Sequence, residues 1–164
     1  MRIKRLAVLA VLISVGLVLG VIEAKIPIFT ALPGAKIGIS NIVTLISVYL
    51  LGPVPTFLIA ILKSLLVSFF CGAPTSFLYS GTGAALSVLV MLLTKNILKD
   101  KVSAVGVSIL GAASFNLAQT VVAAIIVNNI SMLAYLPPLF VISAFSGLIT
   151  GLAANGIMGV IKNV

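Results

Sequence analysis

Long apolar segments follow one another along this chain, each roughly 17 to 25 residues in length, separated by glycines, prolines and isolated charges. A helix of that length rises about 1.5 Å per residue and crosses a hydrocarbon layer about 30 Å thick. A soluble domain needs polar side chains to cover its core. Here 62% of the 164 residues are hydrophobic, 7% are charged and the mean hydropathy is +1.38. The fold class read from this is an all-α polytopic membrane protein, with residues 1–164 forming a single transmembrane domain.

Apolar windows read against the punctuation predict six helices, over 6–24, 37–51, 53–71, 75–94, 103–128 and 132–161. The basic start followed by an apolar run has the outline of a signal peptide. No small-x-small cleavage site follows "LVLGVIEAK", so the first helix is expected to be retained. The short links at Gly52-Pro53 and from Cys71 to Pro74 predict antiparallel hairpins, and "KIPIFTALPGAK" is the longest external connection. Gly16-x-x-x-Gly20 and Ala10-x-x-x-Ser14 on the first helix are small-residue pairs of the type that lets helix backbones approach closely.

Ten Lys and Arg against two acidic residues give a net charge of +8, which in a soluble chain would point to nucleic acid. Here most cations stand at the ends of predicted helices, where they orient a membrane protein and meet anionic lipid heads, so nucleic acid is not an expected partner and membrane lipid is. With both termini cytoplasmic, Arg2, Lys4, Arg5, Lys95, Lys99, Lys101 and Lys162 fall inside, and Lys25 and Lys36 outside. The expected localisation is the cell membrane.

Several chemistries lack their residues. The chain has no His, one Cys (Cys71) and two carboxylates (Glu23 and Asp100), so it cannot assemble a zinc, haem or iron-sulfur ligand set or a His-dependent nucleophile on its own. Gly81-x-Gly83 within "YSGTGAALS" lies inside a predicted helix and reads as helix packing rather than a phosphate cradle. Ionising a diphosphate takes magnesium held by clustered carboxylates, and the topology separates the only two. No enzyme activity, cofactor or metal is expected.

The remaining polar residues are few and informative. Lys63 sits inside "LIAILKSLLVSFF", ten residues from Pro53 and eight from Cys71, which places both membrane surfaces roughly 12 to 15 Å away. A cation there costs about 2.5 to 3.5 kcal/mol on insertion scales and faces a bundle interior or a watery cavity. It is either satisfied by carbonyls and amides of neighbouring helices or serves to attract an anion. Ser108, Ala112, Asn116, Gln119 and Ala123 fall on one stripe, for interhelical hydrogen bonds or for ligand orientation. Asn41 and Thr44 share a face of the second helix, preceded by Lys36. Ser76, Tyr79, Gly83 and Ser87 on the fourth helix, with Ser143, Gly147, Thr150 and Ala154 on the sixth, are compatible with a cavity wall. The candidate substrate-binding set is Lys36, Asn41, Lys63, Tyr79, Asn116 and Gln119.

The series "LPGAKIGISNIVTLISVYLLGP", "AILKSLL", "SGTGAALSVLVM", "GAASFNLAQTVVA", "LPPLF" and "SGLITGLAANG" resembles the heptaprenyl diphosphate synthase component I family, also called the Gx transporter family. The likeness covers nearly all of the chain after the first helix. Phe115 stands where the family pattern has a histidine, so a role for that histidine is not carried over. The family is similar in size and layout to the S components of energy-coupling factor (ECF) transporters. That similarity implies a small-molecule substrate held near the outer face beneath the first loop, and a transmembrane coupling subunit driven by ATPases, with the small-residue stripe of the first helix as a docking face. The expected function is therefore capture of a small anionic molecule, akin to a vitamin or an isoprenoid or quinone precursor. The alternative is a membrane subunit associated with prenyl diphosphate and menaquinone synthesis, or with extracytoplasmic electron transfer.

Overall fold

The computed structural model describes residues 2–25 and 38–162. Its elements are six α-helices: α1 (Arg2–Ala24), α2 (Asn41–Leu50), α3 (Pro53–Phe70), α4 (Ser76–Leu98), α5 (Ala104–Val127) and α6 (Leu136–Lys162). Short 3-10 turns at Lys99–Lys101 and Ile130–Tyr135 precede α5 and α6. No strand occurs among the described residues.

The helix ends follow local chemistry. Proline at the first position of α3 has its φ already set for a helix, and Gly52 before it takes φ +85°, which a residue with a Cβ resists. The Ser103 hydroxyl caps α5 by accepting from the Gly106 N–H at 3.3 Å. Asn128 closes α5 in the left-handed conformation, its N–H turned back to the carbonyls of Ala124 and Ile125.

The second and sixth helices depart from the sequence reading. The predicted 37–51 shrinks to the ten residues of α2, because Gly38 adopts φ +86° and residues 39 and 40 form a turn. Ten residues rise only about 15 Å, half of a hydrocarbon layer. The predicted 132–161 becomes a 3-10 turn and then α6, which has Pro137 and Pro138 in its first turn, where their missing N–H groups cost nothing. Among the described residues five helices are long and apolar enough to cross a membrane, and α2 is a shorter apolar helix.

The helices form an open row, α1 on α3, α3 on α4, α4 on α5 and α5 on α6, and α2 touches all five. Close approach between α5 and α6 is set by glycine: a Cβ on Gly147 would stand 2.5 Å from the Ile109 Cα, and one on Gly151 2.6 Å from the Val105 Cα. Gly16 and Gly20 face α3, where a Cβ would meet Lys63 and Val67 side chains at 2.9 and 2.5 Å. That pair is internal packing, and it gives the Lys63 methylenes their room.

Burial is inverted relative to a soluble protein. Lys63, Glu23, Asn116, Gln119, Ser87 and Thr150 are buried, as are many other Ser and Thr side chains, whereas Ile3, Val54, Phe69, Ile97, Ile125 and Phe145 face outward. Polar groups inside and hydrocarbon outside suit a lipid solvent, and the molecule is a multi-pass membrane bundle.

Candidate functional site

The polar interior concentrates at the N-terminal end of α2. The Lys63 ammonium, reaching across from the middle of α3, donates to the Ser40 carbonyl at 3.0 Å, to Asn41 Oδ1 at 3.2 Å, to Thr44 Oγ1 at 3.3 Å and to Ser40 Oγ at 3.4 Å. The residue is 4% exposed, so its charge faces neither lipid nor open water.

On the other side of the same turn stands Glu23, from the last turns of α1 and also 4% exposed. Its Oε1 accepts from the Gly38 N–H and its Oε2 from the Ser40 N–H at 3.3 Å. The carboxylate thus takes up N–H groups that α2 leaves without intrahelical partners at its start, and it lies where the helix dipole favours an anion. A lysine at that end is opposed by the dipole. The ammonium is satisfied by the Ser40, Asn41 and Thr44 oxygens, and Glu23 brings a negative charge to the wall of the same cavity.

Between these groups is a small enclosed cavity lined by Gly20, Glu23, Gly38, Lys63, Ser80 and Phe115, with Ser40, Asn41, Ser64 and Val67 completing its wall. It offers about 20 Å³, room for a water and not for a metabolite. A hydroxyl ladder continues from it between α3 and α4: Ser64 Oγ reaches the Ser80 carbonyl at 3.4 Å, and Ser68 Oγ contacts Ser80 Oγ at 3.4 Å and Ser76 Oγ at 3.0 Å.

Of the six candidate residues, Lys63 and Asn41 meet. Lys36 and the first loop lie outside the described residues. Asn116, Gln119 and Tyr79 do not line the cavity. Asn116 instead donates to Ser143 Oγ on α6 at 2.8 Å, and Ser108 and Thr150 hydroxyls meet at 2.6 Å, so this stripe of α5 fastens α6. Tyr79 is half-buried on α4. Phe115, the neighbour of Asn116, is the α5 residue that reaches the cavity.

Sequence reasoning missed Glu23 as a site residue, together with Ser40, Ser64 and Ser80. A signal existed for Glu23: it is one of two acidic residues in the chain, placed within reach of an apolar helix, in a protein whose central lysine needs a counter-charge. Among the described residues no group of three or more His, Cys, Asp or Glu side chains converges.

No curated protein and no solved structure matches this chain significantly. A family profile does, across residues 12–157, which takes in α2 to α5, most of α1 and α6, and every residue of the cavity wall. The chain belongs to the family described as heptaprenyl diphosphate synthase component I.

Proposed function

We propose that this protein is the substrate-capturing membrane subunit of an ECF-type transporter. It takes a small anionic molecule from outside and passes it inward with a transmembrane coupling subunit and ATPases. The observation that carries the reading is a buried lysine and a buried carboxylate that line one small cavity inside a membrane bundle. Packing alone does not call for such a pair, because apolar side chains of similar volume would hold the helices at lower cost.

In this reading the bundle crosses the cell membrane six times, with both termini and the cation-rich end cytoplasmic. The chain carries out no catalysis. The cavity accepts substrate by widening. A carboxylate or phosphate replaces Ser40, Asn41 and Thr44 as the acceptor for Lys63, exchanging neutral partners for a charged one, and charge-assisted hydrogen bonds are the stronger kind. This releases the N-terminal end of α2. Because α2 touches all the other helices, its displacement reports an occupied site to the surface that meets the coupling subunit.

The family description favours a second reading, a membrane subunit that holds a prenyl chain for a soluble synthase. Gentle isolation followed by native mass spectrometry separates the two. A water-soluble anion copurifying with ATPase subunits, and lost in a folded Lys63→Gln variant, is the outcome expected here. Copurification of a prenyl diphosphate with an acidic prenyltransferase would replace the transport reading with the second.

A further inference from the structure

The opposite end of the bundle carries a second polar recess, unconnected with the Lys63 cavity and independent of the function proposed for it. It is a groove of about 790 Å³ where the ends of α2, α4 and α6 meet the start of α5. Lys95, Asn96, Lys99 and Asn155 supply its polar wall, and Val102 and Met158 are among its apolar residues. No carboxylate stands among the described residues that line it.

We infer that this groove binds the phosphate-bearing headgroup of an anionic phospholipid. Lys95 donates to the Val48 carbonyl at 2.7 Å and lies 4.7 Å from the centre of the Tyr49 ring. That bond takes one of three ammonium donors and fixes where the other two sit. Lys99 follows directly after the last residue of α4, exposed at the lip. Its backbone is held at φ +42°, ψ −119°, a region that glycine enters freely and a residue with a Cβ does not. The fold thus keeps a cation where glycine would be the easier residue.

The level of the groove selects the ligand. Lys95 lies in the last turn of α4, which is long and apolar enough to cross a membrane, and Lys99 follows it directly, so both cations belong near the level of lipid phosphates, with Val102 and Met158 in the same wall. A free phosphate ion would use the lysines and the amides and leave the apolar wall without purpose; a phospholipid uses both.

The test is native mass spectrometry of the full chain, titrated in detergent with phosphatidylglycerol or phosphatidylcholine. The wild type should retain one phosphatidylglycerol in preference to phosphatidylcholine. Lys95→Gln and Lys99→Gly should each weaken that retention about fivefold. Lys99→Gly relieves the backbone conformation while removing the charge, so its loss of lipid cannot be put down to unfolding. Lys101→Gln, which removes a nearby cation outside the groove, should change nothing. The inference fails if Lys99→Gly retains lipid like the wild type, if Lys101→Gln weakens retention equally, or if phosphatidylcholine is held as well. Displacement of the lipid by millimolar inorganic phosphate would assign the groove to a soluble anion and overturn the lipid assignment.

Discussion

The two ends of α2 are each met by a lysine from a neighbouring helix, yet their surroundings have little in common. At the C-terminal end Leu45, Ile46 and Val48 pack with Met91, Val107 and Met158 into a dry cluster, and Lys95 reaches the Val48 carbonyl from its border. There the cation agrees with the helix dipole and takes up a carbonyl that lacks an intrahelical partner, so each element of the contact is favourable on its own. At the N-terminal end Lys63 is enclosed, opposed by the dipole, and held by the Ser40, Asn41 and Thr44 oxygens, with Glu23 on the wall of the same cavity. One residue type therefore serves as a simple fastening at one end and as a buried cation in a polar chamber at the other.

Mutations that break the comparison start at the carboxylate. Glu23→Ala removes the carboxylate on the wall of the Lys63 cavity and leaves the Gly38 and Ser40 N–H groups without their acceptor, for an expected loss of about 3 kcal/mol in detergent unfolding. Adding Lys63→Met to it should restore part of that loss, and additive effects of the two changes would show that the pair is not coupled. Lys95→Met should cost about 1 kcal/mol, the value of one hydrogen bond whose lost partner is a single carbonyl. A loss as large as that of Glu23→Ala would erase the distinction between the two ends. The smallest effect is expected from Tyr49→Leu, which keeps apolar bulk and removes the ring beneath Lys95, for about 0.5 kcal/mol; a wholly unchanged melting curve would assign the contact no energetic role.

Much of this architecture is legible in the sequence because its punctuation is chemical. Gly52-Pro53, the Cys71–Pro74 link and Ser103 mark helix ends that the structure keeps within a few residues. The start of α2 is not legible, since the cation at Lys36 suggests a helix from 37 onward, whereas Gly38 at φ +86° delays it to Asn41. The polar stripe of α5 is correctly periodic, but period fixes only a face. That Asn116 and Ser108 meet Ser143 and Thr150 depends on where α6 lies, and short-range pattern carries no such information. The same holds for Gly16 and Gly20, equally suited to a neighbour within the chain or a separate subunit until α3 is seen against them. Glu23 is the clearest case, because its acceptors serve N–H groups 15 and 17 residues away.

The bare glycine contact between α5 and α6 limits how such a bundle can work. At Gly147 and Gly151 the α6 backbone lies against the main chain of Ile109 and Val105 with no side chain of its own to re-orient, so the two helices are closely fixed to each other there. The seam of α1 on α3 is of another kind, because Gly16 and Gly20 meet there the bendable stem of Lys63 and the side chain of Val67 instead of main chain.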